Sequence, residues 1–307
     1  MSLFIKELKD RIRPRIRMAS SVLTSQAINV LRVIAQRLSR GQARRLAFML
    51  GDFMRQVLGL RRDLVYTNLA LTFPEKSRTE IHRIAKSVYR NVAASLFEVL
   101  RLPLIRTRED VAALVDIDAR ELLAKMCERH SGAVVVSAHY GNWELMALAF
   151  GVMVHPLTII VKRLRNATVD RRINEFRTMQ GNSIVYDDQA LREGLRLLAD
   201  GGFLAILGDQ SDPAESNFCE FLGRRATMFH GAAFFALKAQ VPLFVGMCRS
   251  NGDGRYTIDA IEIDTSDLTF NKEDIATLAL RYTRVIEEYI RRWPEEWFWL
   301  HDRWKRS

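Results

Sequence analysis

The chain has 307 residues, 48% apolar and 27% charged, which is ordinary for a soluble fold and enough for one large or two small domains. Its net charge of +10 is confined to one end: residues 1–62 hold 14 Lys/Arg against 3 Asp/Glu, and the remainder holds 32 against 33. Cys127, Cys219 and Cys248 form no CxxC pair, so no disulfide framework is read and a reducing compartment is expected; no run of 18 apolar residues marks a conventional membrane span.

Residues 1–18 mix Phe4, Ile5, Leu8, Ile12 and Ile16 with six Lys/Arg, and Pro14 stops any long helix. Charges arrive too soon for a signal-peptide core. The segment reads either as a short interfacial helix with a basic strap or as a solubilising terminus. Over residues 20–58, apolar side chains recur at helical spacing, with a break at Gly41. Bordering arginines give these helices a basic face, turned to phosphates or simply solvated. Arg61 to Phe73 reads as a linker with a helix end. Ser77-Arg78-Thr79-Glu80 is a capping box opening a helix that runs towards Leu100. Within it, Glu98 sits among apolar positions and calls for an arginine partner. Residues 1–105 are thus expected to form a basic helical region that associates with membrane and packs on a main domain, residues 106–307.

From about residue 110 the pattern changes to short apolar runs alternating with amphipathic stretches. Residues 115–129 read as helix. Strands are expected at Val134–Ser137, Leu157–Val161, Ser183–Tyr186, Phe203–Leu207, Val241–Cys248 and Tyr256–Ile263. Helices are expected at Trp143–Met153, Thr168–Met179, Gln189–Ala199, Met228–Ala239 and Lys272–Arg291. This alternation predicts an α/β fold, a largely parallel central sheet flanked by helices, preceded by the N-terminal helical region. Ligands in such folds gather at the carboxyl ends of the strands.

His139 falls at one of those ends, directly after Val134-Val135-Val136-Ser137-Ala138. Glu144 follows five residues later. On one helix that spacing would put the two side chains roughly 140° apart. A strand end followed by a turn and a new helix instead folds the carboxylate back towards the imidazole. A carboxylate on one ring nitrogen sets the tautomer and makes the other nitrogen the stronger base. A surface or core histidine is the plainer alternative. Lys162, Arg163, Arg165 and Asn166 follow one strand and Asp209 and Gln210 another; such a rim suits a phosphate-bearing substrate, or is an ordinary charged loop. Phe218–Ala226 reads as a loop with apolar side chains, Arg224 and Arg225; with Phe229, Phe234 and Phe235 it lines an acyl groove or packs on the sheet. Trp293, Trp297, Trp299 and Trp304 crowd the C-terminal end and are expected to dock on the domain, with room for one indole to face lipid. There is no GxSxG elbow, no GxGxxG, no Walker A loop and no zinc-ligand spacing, and the basic helices carry no nucleic-acid module.

Taken in order, these blocks resemble the lipid A late acyltransferases, the lauroyl/myristoyl transferases, and more distantly the glycerophosphate acyltransferases. His139-Tyr-Gly-Asn-Trp-Glu144 looks like the family's His-four-residues-acid motif. Lys162-Arg-Leu-Arg-Asn166 with Asp170 is similar to the second block, which more typically begins with arginine. Gly202 to Gln210 is similar to the third. Phe221-Leu-Gly-Arg-Arg-Ala226 with Pro242 is similar to the fourth, and Pro294 to Lys305 to the family's ending. The resemblance implies a glycerophosphate-acyltransferase-like fold. It implies transfer of a fatty acyl chain from acyl carrier protein to a hydroxyl of an acylated, phosphorylated glucosamine disaccharide, on the cytoplasmic face of the bacterial inner membrane. His139 and Glu144 would be catalytic, with Glu144 orienting His139. Lys162, Arg163, Arg165, Asn166, Asp209, Gln210 and Arg224 would meet substrate or carrier, Asp209 holding an arginine or sugar hydroxyls. No metal, cofactor or nucleic acid is expected; a glycolipid acceptor and an anionic membrane surface, peripherally bound, are. The rival readings are an acyltransferase for another glycolipid or lysophospholipid, and a non-enzymatic protein binding anionic membrane or nucleic acid.

Overall fold

The computed structural model describes residues 26–118, 132–164, 166–210 and 218–305. The expectations for residues 1–18, for Arg165 and for most of the helix at 115–129 lie outside those residues.

Four helices open the described chain: α1 (residues 26–37), α2 (Arg40–Gln56), α3 (Arg62–Thr72) and α4 (Arg78–Arg101). The break between α1 and α2 comes before Gly41, because Ser39 and Gln42 form a reciprocal capping box. The box at Ser77 is present as expected, with the Ser77 N–H donating to Glu80 Oε2 at 2.8 Å. Arg62–Thr72 is helical throughout, rather than a linker with a helix end. Val65, Asn68, Leu69 and Thr72 make one buried face of α3, and burial of that stripe outweighs a weak local signal. Glu98 finds its arginine: Arg40 lies 3.9 Å away, and burial raises the Glu98 carboxyl above its ordinary value despite that neighbour.

A short helix α5 (Arg108–Ala112) leads into β1 (Val115–Ile117), a strand where helix was expected. Its alternating burial and its parallel pairing with β9 (Tyr256–Ile263) decide the matter: a sheet edge captures Val115 and Ile117. The other strands are β2 (Ala133–Ser137), β3 (Leu157–Val161), β4 (Ser183–Tyr186), β5 (Phe203–Leu207) and β8 (Leu243–Ser250). They make a seven-stranded sheet of order β1-β9-β8-β2-β5-β3-β4. Every neighbour is parallel except β8 and β9. The intervening helices are α6 (Trp143–Met153), α7 (Ala167–Thr178), α8 (Ala190–Ala199), α9 (Gly231–Ala239) and α10 (Lys272–Arg292). Residues 218–227, expected as loop, form an antiparallel hairpin of β6 (Phe218–Phe221) and β7 (Arg224–Thr227).

Two cores flank the sheet. One gathers Val134, Val136, Leu204 and Ile206 with α9, α10 and the tryptophans Trp297, Trp299 and Trp304. It also takes Val65, Leu69, Ile84 and Val88, so α3 and α4 share their core with the sheet. Three of the four C-terminal indoles are therefore interior; Trp293 is half-buried between Arg249 and Arg292. The opposite face packs Val135, Phe203 and Phe244 against α6. Packing on that second face is incomplete, and the gap defines the site.

Candidate active site

β2, a fully buried strand, delivers His139 to the carboxyl edge of the sheet. The chain must then turn at once. Gly141 has φ of 55°, and a Cβ there would stand 1.7 Å from the Cys248 carbonyl oxygen, so only glycine fits. Asn142 caps α6, its side-chain oxygen accepting the Leu145 N–H at 3.0 Å. Glu144 thus enters the first turn of the helix, as the spacing predicts.

The turn is clamped from behind by the C-terminal segment. Gly141 N–H donates to the Glu296 carbonyl at 2.9 Å, and Phe298 N–H donates to the His139 carbonyl at 2.9 Å. Tyr140 and Trp297 form an antiparallel bridge. The Ser95 hydroxyl of α4 donates to the Gly141 carbonyl at 2.9 Å.

The partner of His139 is Asp209, not Glu144. Asp209 sits past the end of β5, the neighbour of β2, and is 4% exposed. Its Oδ1 lies 2.8 Å from His139 Nδ1, while Oδ2 accepts the His139 backbone N–H at 3.0 Å and the Trp297 indole N–H at 2.8 Å. Burial pushes the Asp209 carboxyl up, but the adjacent His139 and the hydrogen bonds from His139 and Trp297 outweigh it and hold the group below its ordinary value. An ionised carboxylate only accepts, so Nδ1 carries a proton, which in the neutral imidazole leaves the lone pair on Nε2. The Gln210 amide nitrogen stands 3.3 Å from Nε2. Trp143 packs edge-on against the imidazole with ring centroids 5.0 Å apart.

The Glu144 carboxylate is taken by Arg177 of α7, whose Nε donates to Oε2 at 2.9 Å and to Oε1 at 3.2 Å. Arg177 also donates to Asn174 at 3.1 Å. A guanidinium fork meets a carboxylate in two bonds, which a single imidazole N–H does not match. Glu144, Arg177 and His139 all line one cavity of about 600 Å³. Its mouth carries Lys162, Arg163 and Gln210; its depth is apolar, running between α6 and the sheet past Val135, Ile159 and Ala205 to Phe150 and Leu157.

The remaining expected site residues divide. Arg163 borders the mouth with its guanidinium 3.6 Å above the Tyr186 ring. Asn166 is a helix cap: its side-chain oxygen accepts the N–H groups of Thr168 and Val169 at 3.0 and 3.2 Å, so that oxygen serves the backbone rather than a substrate. Asp209 holds the imidazole instead of an arginine or sugar hydroxyls. Arg224 lies away from the cavity lining, stacked 3.9 Å over Trp304 and donating to Asn68 at 3.0 Å, where it ties the hairpin to α3. Of the aromatic residues around the hairpin, Phe229 lines the cavity, whereas Phe221 and Phe235 are core. Arg177, Trp143 and Trp297 were not singled out as site residues by the sequence. Trp297 had a visible signal in the tryptophan cluster, but Arg177 is one of several charges on its helix and meets Glu144 across 33 residues.

The cavity joins an imidazole oriented by a carboxylate to a cationic mouth and an apolar interior. Such a site can deprotonate a hydroxyl beside a bound fatty chain. The comparisons agree with acyl transfer: this is an acyltransferase. The chain belongs to the bacterial lipid A biosynthesis acyltransferase family, whose model matches residues 10–306. It is 25% identical over 286 residues to the lipid A biosynthesis lauroyltransferase of Escherichia coli (strain K12), covering 92% of this chain and 91% of that protein. It is 26% identical over 197 residues to the phosphatidylinositol mannoside acyltransferase of Mycolicibacterium smegmatis (strain ATCC 700084 / mc(2)155), covering 62% of each. A solved structure, the 1-acyl-sn-glycerophosphate acyltransferase PlsC from Thermotoga maritima, aligns with a TM-score of 0.38 at 13% identity, over 82% of this chain and 99% of that one.

Proposed function

We propose that the protein transfers a fatty acyl chain from acyl carrier protein to a hydroxyl of an acylated, phosphorylated glucosamine disaccharide, a lipid A precursor. The observation that carries this reading is the His139–Asp209 pair, with Nε2 turned to the mouth of a cavity whose depth is apolar. Nε2 takes the proton of the acceptor hydroxyl, and the oxygen attacks the thioester carbonyl. The tetrahedral intermediate collapses, the C–S bond breaks, and the carrier thiolate recovers the proton from the imidazolium. Asp209 holds the tautomer and balances the imidazolium charge. Lys162 and the Gln210 amide offer positive ends to the developing oxyanion. Glu144 acts through Arg177, which with Arg163 supplies cations for acceptor phosphate or acidic carrier. The cavity interior takes the acyl chain.

The enzyme would work from the cytoplasmic face of the inner membrane, bound peripherally. Among the described residues no helix is long and apolar enough to cross a membrane. Met49 and Phe53 make an exposed stripe on α2 continued by Val57, Leu58 and Leu60, with Arg37, Arg45, Arg61 and Arg62 also exposed in this region. Such a face suits an anionic bilayer surface.

The similarity to a phosphatidylinositol mannoside acyltransferase favours one second reading, a different glycolipid acceptor. Purified protein, given acyl carrier thioesters and defined acceptors with mass-spectrometric readout, separates the two. Turnover of the disaccharide precursor, lost in His139→Ala, is expected. Turnover of only another lipid moves the acceptor, and full activity of a folded His139→Ala variant overturns the mechanism.

A further inference from the structure

We infer that Ala205, above a floor made by Phe150 and Leu157, selects the length of the acyl chain; this rests on the reading that the cavity holds that chain. Strand register sets the geometry. Ala205 pairs with Val135 and with Ile159, and Val135 pairs with Phe244, so these four side chains form one row across the sheet. The row lies two residues below that of Ser137 and Leu207, or ~6.7 Å deeper from the mouth. Its other members are branched or aromatic, and Ala205 is the smallest. Although β5 lies inside the sheet, Ala205 is only partly buried, so open space reaches it.

Two residues deeper on the same face of β5, that space ends. Phe203 is 3% exposed, and its ring packs on Phe150 with centroids 6.2 Å apart. Leu157, paired with Phe203, is also 3% exposed and closes the β3 side. An acyl chain passing Ala205 therefore meets the Phe150 ring, and side-chain bulk at 205 would stop it one row earlier.

The test is a set of saturated acyl thioesters of acyl carrier protein that differ by two carbons, competed against one another in single reactions. Ala205→Val and Ala205→Leu are expected to move the preferred donor to shorter chains, the longest good donor of the native enzyme falling by about tenfold or more relative to the shorter one. Phe150→Ala is expected to move the preference the other way. Valine suits a strand, so Ala205→Val is the variant that decides if the bulkier changes disturb folding. A folded, active Ala205→Val enzyme with the native chain-length profile overturns the inference and leaves the acyltransfer reading standing. Failure of the native protein to use any acyl thioester overturns that reading instead.

Discussion

Asp209→Asn isolates the relay on which the chemistry turns. Asp209 receives three donors on two oxygens: Nδ1–H of His139 at 2.8 Å, the His139 N–H at 3.0 Å and the Trp297 indole at 2.8 Å. An asparagine keeps one oxygen and gains an NH₂ group. If its oxygen stays with the two donors that share Oδ2, the NH₂ faces Nδ1 and the imidazole must move its proton to Nε2. The base is then lost, although packing is nearly unchanged. The same tautomer error in a serine-protease triad costs about 10⁴ in turnover, so a loss on the order of 10³ to 10⁴ is expected here, ~4–5.5 kcal/mol of transition-state stabilisation. One hydrogen bond exchanged for a mismatched one should cost ~1–3 kcal/mol of stability. Because the Asp209 carboxyl is held below its ordinary value, its contribution to stability is complete above about pH 4 and is lost as pH falls through the folded-state value; the variant should lack that acid-side slope. Single-turnover acyl transfer measures the first effect, and ¹⁵N shifts of the imidazole report the tautomer. A folded variant within about tenfold of native turnover, or one with Nδ1 still protonated, refutes the reasoning.

Three further outcomes are expected. Glu144→Ala strands the Arg177 guanidinium in a largely buried site and should cost about 3 kcal/mol in urea unfolding, with Arg177→Met lowering activity in parallel; an inactive Glu144→Gln beside a fully active Arg177→Met would return Glu144 to the histidine. Glu296 is pushed up to about 8, chiefly by burial and then by Glu295. Between the ordinary carboxylate value and about 8 only the folded state keeps that proton, so stability should fall as pH rises across the window, and Glu296→Gln should flatten the fall in thermal melts. Phe53→Ser should weaken binding to anionic vesicles by about tenfold, since it removes a half-exposed ring worth ~1–2 kcal/mol in the interface; unchanged binding would place the membrane face elsewhere.

What could be read from the chain was local. The strand–turn–helix at 134–153 is written in consecutive residues: a β-branched run, a glycine that must turn left-handed, and an asparagine cap. The capping box at Ser77 likewise marks its helix in four residues. The site's pairings are not local. Nearness in sequence suggested Glu144 for His139, yet the imidazole is met from a neighbouring strand 70 residues on, and Glu144 from a helix 33 residues on. A carboxylate five residues away and one on an adjacent parallel strand both lie at the carboxyl edge, and only register and rotamer choose between them. β1 and α3 were misread for a related reason: each is too short for its own periodicity to outweigh what the sheet edge or the core makes of it.

The bridge between Tyr140 and Trp297 ties the site to the segment that follows α10. The sheet and its histidine precede α10, but the indole that anchors Asp209 and the backbone that holds Gly141 come from residues 296–298. One short segment therefore aligns the imidazole's partner and the left-handed turn together, and loosening it would release both at once.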